Sequence, residues 1–316
     1  MLKTVLVTGG SGLVGSAIRG LSKDDFDENI LYNFIYLNSK MCDLKSFDET
    51  KKLFELILPN YVIHLAACVG GLYKNLNNPA TMYTDNILIN TNVLECARLT
   101  GVEKLVACLS TCIFPDKVDY PIHESSLHDG PPHPSNESYA YAKRMLEVQC
   151  RAYNKQYNCN FICVIPTNVY GPNDNYNLED SHVIPALIHR CYLAKQNGLD
   201  FIVRGTGKPL RQFIYSMDLA KLIIIVLQST IKESIILSPS NEYTIEQVSK
   251  MISSKFGMNS ILDNSSSDGQ YRKTSDNSKL NTLLNYNKID FKFTDLEIGL
   301  SQTIDYFIEH YELLRK

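Results

Sequence analysis

Residues 8–15 read TGGSGLVG, and no other stretch narrows the fold of this chain as far. Lys3–Thr8 (KTVLVT) is a β-branched run that predicts a strand, and Leu13–Leu21 has the spacing of a helix. Gly9, Gly12 and Gly15 fall on the turn between them. Such a turn lets backbone approach a pyrophosphate at a helix N-terminus, where free N–H groups and the helix dipole attract anions. Gly15 would also let the helix pack tightly on the strand. A purely structural glycine turn is the other reading. The flanking strand and helix, at the very start of the chain, favour a dinucleotide.

The same alternation continues. Phe34–Leu37, Tyr61–Leu65, Lys104–Ser110 and Asn160–Ile165 read as strands, and Thr50–Leu58, Ile87–Leu99 and Ser138–Tyr157 as helices. Strands alternating with helices predict an α/β fold, a Rossmann-type doubly wound parallel sheet covered on both faces. After Pro166 the rhythm changes. Gly171–Ser181 is a polar loop, a helix begins near His182, Gln212–Leu227 returns to strand-then-helix, and Asp263–Lys279 is polar again. These shifts predict a smaller α/β lobe interleaved with the first. Residues 1–166 with about 212–238 would form the dinucleotide-binding domain, and about 167–211 with 239–316 the substrate lobe.

Composition removes several classes of function. The 316 residues carry 31 basic against 34 acidic side chains, a net charge of −3, with no basic run suited to a nucleic-acid backbone. The apolar run at the start is too short for a signal peptide or a membrane span, and no later stretch of about 20 apolar residues appears. Nine cysteines, an odd number without CxxC or CxxH spacing, speak against a disulfide framework and a zinc site and suit a reducing cytoplasm. No metal is expected.

The second strand ends in YLNSKMCDL without the terminal acid that commonly holds a ribose 2′-hydroxyl. Ser39 and Lys40 follow instead and suit a 2′-phosphate, so NADPH is the expected cofactor; Lys40 as an ordinary surface charge is the competing reading. Asp43 sits where it could contact adenine. Tyr139 and Lys143 form Y-x-x-x-K, which places both on one helix face. An ammonium there is expected to lower the phenol pKa from about 10. Ser110 ends a strand at the carboxyl side of the sheet, where such folds bind ligands. Ser, Tyr and Lys together can polarise a carbonyl and protonate an alkoxide. Cys112 lies two residues beyond Ser110, on the same side if strand geometry persists; a buried structural cysteine is the commoner fate.

TGGSGLVG, HLAA (Ile63 precedes it; His64–Ala67), YAYAK and IPTNVYGP (Ile165–Pro172) resemble the extended short-chain dehydrogenase/reductase superfamily. More narrowly, CVGGLYKN (Cys68–Asn75), LSTCIFP (Leu109–Pro115), PTNVYGPNDN (Pro166–Asn175), SHVIPALIHR (Ser181–Arg190) and RQFIYSMDLA (Arg211–Ala220) are similar to the GDP-L-fucose synthase family, the epimerase-reductases of GDP-4-dehydro-6-deoxy-D-mannose. The resemblance spans most of the chain. It implies catalysis by Ser110, Tyr139 and Lys143, with Cys112 and His182 as the acid/base pair that inverts C3 and C5. It implies cofactor contacts at Gly9, Gly12, Leu13, Val14, Gly15, Ser39, Lys40, Asp43, Leu44, Ala66, Ala67, Tyr139, Lys143, Pro166, Asn168 and His182. It places the substrate at Ser110, Asn168, Val183, Arg190, Arg204, Arg211 and Lys273; at Arg204 the family carries an aromatic residue, so the guanine contact there departs from the pattern. It also implies a homodimer through the helix bearing Tyr139 and Lys143.

Two other readings remain at this stage. An NAD-retaining sugar-nucleotide 4-epimerase or 4,6-dehydratase shares the fold, but the dehydratases carry an acid where Cys112 stands, and the 4-epimerases need no cysteine–histidine pair. A non-catalytic dinucleotide-sensing regulator would usually lose the tyrosine or the lysine, and both are present.

Overall fold

The computed structural model describes residues 2–26, 30–266, 268, 271–314 and 316. Its centre is a six-stranded sheet of β1 (Leu2–Thr8), β2 (Leu31–Tyr36), β3 (Tyr61–His64), β4 (Lys104–Cys108), β5 (Phe161–Pro166) and β10 (Ile235–Leu237). The spatial order is β2-β1-β3-β4-β5-β10, and every pairing is parallel. Helices α1 (Leu13–Arg19), α2 (Phe47–Ile57), α3 (Leu72–Asn77), α4 (Pro79–Leu99) and α5 (Glu137–Tyr157) join the first five strands. The two-residue period of the strands divides the core. Val5 and Val7 face α1, α7 (Ser216–Gln228) and α9 (Ser278–Tyr286), whereas Leu6 between them faces α2, α4 and α5. Leu105 and Ala107 face the second side and Val106 the first. Both faces are therefore covered, as a parallel sheet requires.

Beyond β5 the chain builds three two-stranded sheets. β6 (Asn168–Tyr170) pairs with β9 (Phe213–Tyr215), β7 (Phe201–Arg204) with β12 (Ser260–Asp263), and β8 (Leu210–Arg211) with β11 (Tyr243–Thr244). Helices α6 (Val183–Asn197), α8 (Ile245–Lys255) and α10 (Leu296–Glu309) close over them on a third core that includes Tyr170, Tyr176, Ile188, Phe256 and Phe307. Ser267, Gly269 and Gln270 of the predicted polar stretch 263–279 lie outside the described residues, as do the side chains of Leu72 and Tyr73 in the CVGGLYKN block.

Two expectations are corrected. Helix α4 begins at Pro79 rather than Ile87, with proline at its first turn, where no N–H is needed. Strand β4 ends at Cys108; Ser110 instead caps a 3₁₀ turn over Thr111–Ile113. Among the described residues no helix is long and apolar enough to cross a membrane, and no group of three or more metal-ligating side chains occurs.

Candidate active site

Strand order reverses beside β1: β2 lies on one side of it and β3 on the other. The chain leaves these strands in opposite directions and opens a crevice at their carboxyl ends. His64 braces that point. It is fully buried, its Nδ1 lies 2.8 Å from Thr8 Oγ1 and its Nε2 3.1 Å from Asn90 Oδ1, while the Ala66 N–H donates to Thr8 Oγ1 at 3.2 Å. Burial, helped by the Lys143 charge, pushes the imidazole pKa down to about 3. The ring is neutral, and its role is to tie β1 to β3 and α4.

The crevice has a volume of about 850 Å³. Its floor is the glycine loop. Gly9 has a φ of +69°, and a Cβ there would stand 2.8 Å from Ala66 N; a Cβ on Gly15 would stand 2.6 Å from Gly10 Cα. Only glycine lets loop, strand and helix approach so closely. Gly12 caps α1 without a side-chain acceptor, which leaves the first helical N–H groups for an anion. Leu13, Val14, Ser39, Asp43, Leu44, Ala66, Ala67, Pro166 and Asn168 all line the same crevice. These residues fit a dinucleotide. Lys40 does not line it; that side chain is exposed beside Ser39, while Lys45 does reach the wall.

Ser110, Tyr139, Lys143 and His182 line the same space. Tyr139 and Lys143 lie one turn apart on α5, as their spacing predicts. Lys143 is 2% exposed, and its ammonium donates to Cys108 O at 2.8 Å. The expected lowering of the Tyr139 phenol is not found. Burial raises it well above its ordinary value, reinforced by Cys112, Cys108 and Cys68 as neighbours, and Lys143 does not offset this. Burial thus biases the phenol towards its protonated form.

Cys112 does not line the crevice itself, and no pleat brings it to Ser110. The 3₁₀ turn does: the Cys112 N–H donates to Ser110 Oγ at 3.5 Å. Burial raises the thiol, opposed by a hydrogen bond from Ser110 and by the charges of Lys273 and Lys143. His182 caps the start of α6 and is exposed to solvent within the crevice; its recessed position and then the Lys273 charge lower its pKa from 6.5. A protonated thiol and a neutral imidazole thus share one charged neighbour.

Lys273 owes its place to Gln212 and Tyr120. Gln212 is 1% exposed, accepts from Ser275 N at 2.8 Å and donates to Pro239 O at 2.8 Å; Tyr120 donates to Arg272 O at 2.6 Å. Arg211 interacts electrostatically with Lys273, and its own pKa falls through burial. Its Nη1 donates to Leu210 O at 2.7 Å. Val183 opens α6, and half-buried Arg190 lies two turns along it. Arg204 stands apart from this group, exposed at the end of β7 and in register with Asp263.

Sequence reasoning missed two parts of the crevice. Asn86 of α4 grips the Cys68 backbone from both sides, accepting from its N–H at 3.0 Å and donating to its carbonyl at 2.9 Å. Tyr306 of α10 joins the wall and donates to Asn173 Oδ1 at 2.7 Å. Neither carries a local signal: each acts across a long sequence separation.

Fold and crevice together define a dinucleotide-dependent enzyme of α/β type whose crevice is lined by Ser110, Tyr139 and Lys143. Residues 5–237 match the NAD dependent epimerase/dehydratase family, and the chain belongs to that family. It is 50% identical over 319 residues to GDP-L-fucose synthase of Dictyostelium discoideum, covering 99% of this chain and 98% of that one. It is 46% identical over 327 residues to the probable GDP-L-fucose synthase of Drosophila melanogaster, covering both chains in full. The crystal structure of a GDP-L-fucose synthetase from Naegleria fowleri bound to NADP superposes with a TM-score of 0.92 at 46% identity, covering 99% of this chain and 95% of that one.

The crowding at Gly9 gives a direct test. Gly9→Ala places a Cβ against Ala66 backbone at a positive φ, so dinucleotide affinity measured by calorimetry is expected to fall at least about tenfold. Affinity equal to that of the unmodified chain would contradict this account of the loop.

Proposed function

We propose that this chain is an NADPH-dependent epimerase-reductase that converts GDP-4-dehydro-6-deoxy-D-mannose to GDP-L-fucose in the cytoplasm, acting as a homodimer. One observation carries the reading: the crevice that holds Ser110, Tyr139, Lys143 and His182 has Cys112 directly behind Ser110, bonded to its Oγ through the Cys112 N–H, and the Lys273 charge acts on both Cys112 and His182. A simple reductase or 4-epimerase has no use for that pair. The relatives' names point to the same chemistry. Nine free cysteines fit a reducing compartment. Exposed Tyr83 and Leu88 on α4, a helix packed against α5, offer apolar surface for a second copy.

The substrate ketone makes the protons on the carbons beside it acidic. Inversion needs a base on one face of the sugar and an acid on the other. His182 is unprotonated and can remove a proton; the Cys112 thiol can deliver one. Ser110 Oγ accepts from the Cys112 N–H and its hydroxyl is also within reach of the Cys112 thiol; in the complex that hydroxyl turns to the ketone oxygen. NADPH, when bound, supplies the hydride. Tyr139 then protonates the oxygen at C4, for which its raised pKa holds the proton ready. Lys143 fixes the reacting end of the crevice through its bond to Cys108 O. The glycine loop and the contacts from Gly9 to His182 named above hold the cofactor in the domain of residues 1–166 and about 212–238. Ser39, with the Lys45 ammonium on the crevice wall, suits the 2′-phosphate; Lys40, outside the crevice, would have to swing in from the surface to join them. Asn168, Val183, Arg190, Arg211 and Lys273 hold the GDP end in the lobe of about 167–211 and 239–316, where forked arginine donors suit a diphosphate; Arg204, standing apart from them, is not among these contacts.

Two outcomes follow. Mixing the enzyme with NADPH and the 4-keto sugar nucleotide is expected to oxidise NADPH, read at 340 nm, and yield GDP-L-fucose by NMR; Tyr139→Phe should lower that rate by roughly 10²–10⁴-fold while cofactor binding persists. No oxidation by the unmodified enzyme would refute the reading. The pH profile of solvent-proton exchange at C3 and C5 follows from the two shifts. His182 must be neutral and its pKa is lowered, so the acid-side midpoint of exchange should lie below the 6.5 of an ordinary imidazole. Cys112 must be protonated and its pKa is raised, so the alkaline midpoint should lie above its ordinary 9.0. An acid-side midpoint above 6.5 would contradict these assignments.

A further inference from the structure

Arg144 follows Lys143 on α5 but turns into the protein, where it is 4% exposed. Its Nε donates to Ile113 O at 2.5 Å and its Nη1 to Gly130 O at 2.7 Å. Ile113 closes the 3₁₀ turn that carries Cys112, and Gly130 belongs to the loop leading towards α5. Nη2 is buried with no hydrogen-bond partner among the described residues. The guanidinium lies over the Tyr141 ring, 5.4 Å from its centroid, and within electrostatic reach of Cys112.

Burying a guanidinium without a carboxylate partner is costly. An apolar side chain would fill the same space with less penalty. Two things follow from having arginine there. The forked donors tie α5, which bears Tyr139 and Lys143, to the turn that bears Cys112, so the acid of the exchange and the acid of the reduction are held in one frame. The positive charge is also within electrostatic reach of the thiol, whose other polar and charged neighbours are Ser110, Tyr139, Lys143 and Lys273. When the thiol yields its proton to the enolate carbon, the S–H electron pair stays on sulfur, and a thiolate forms in a buried place.

We propose that Arg144 is a positioning residue for the proton-exchange half of the reaction: it fixes the Thr111–Ile113 turn so that Cys112 stays against Ser110, and it steadies the thiolate that forms there. The proposal rests on the role given above to Cys112.

The test uses the full chain with NADPH and the 4-keto sugar nucleotide in D₂O, and reads two rates: deuterium uptake at C3 and C5 by NMR, and NADPH oxidation at 340 nm. Arg144→Met is expected to lower uptake by at least about tenfold, with oxidation reduced by about threefold or less and with incompletely inverted product. Arg144→Lys keeps the charge and can reach one carbonyl, so it should recover part of the uptake. Should Arg144→Met fail to fold, Arg144→Lys carries the test, since its ratio of uptake to oxidation should fall below that of the unmodified enzyme. Equal losses in both rates, or an unchanged ratio in Arg144→Lys, overturn the proposal. Cys112→Ser measured alongside separates the two claims. If it keeps full uptake, the role of Cys112 itself is wrong; if it loses uptake while the Arg144 variants do not, only the role of Arg144 is.

Discussion

The site depends on the gap that opens at the carboxyl ends of β1 and β3, where the order of strand addition reverses in an all-parallel sheet. A parallel sheet offers its carboxyl ends to ligand only at such a point, and here it is held by side chains rather than by backbone alone. The bridge from Ala66 through Thr8 to His64 and on to Asn90 joins both strands to α4. The glycine loop presses against the same Ala66. A shift of β3 relative to β1 would therefore move the cofactor floor and the crevice wall together. Burial keeps His64 neutral, so the brace does not loosen across ordinary pH.

Desolvation sets the chemistry of the groups above that floor. Tyr139 and Cys112 are pushed towards their protonated forms, and His182 towards its neutral form. In the proposed reaction each group is thus biased towards one direction of transfer, Tyr139 and Cys112 as acids and His182 as base. Lys273 opposes the first tendency at Cys112 and adds to the second at His182, which links the two ends of the proton exchange through one charge. Its loop is in turn stitched by Gln212 to β9 and by Tyr120 to the segment before α5.

Much of the fold could be read from local pattern. The parallel sheet, the glycine turn and the one-turn spacing of Tyr139 and Lys143 are periodic or contiguous features, and each appears where the sequence predicts it. What could not be read depends on burial or on distant partners. The first turns of α4 were hidden because Asn86, although inward-facing, breaks the apolar period. The approach of Cys112 to Ser110 needs a turn that no local residue announces. The shift of Tyr139 was given the wrong sign because one neighbouring charge was weighed without the burial that outweighs it. Arg144 looks like a solvated helix charge beside Lys143, and only packing shows it turned inward. Tyr306 reaches the crevice from α10 with no signal near the motifs.

The central claim is that one crevice performs both proton exchange and reduction on the same sugar. Turnover of the unmodified enzyme in D₂O with NADPH, followed by NMR of the isolated product, addresses it most directly. The account predicts GDP-L-fucose carrying deuterium at both C3 and C5, formed one for one with NADPH consumed. A reduced sugar nucleotide of unchanged configuration at C3 and C5, free of deuterium there, would contradict it.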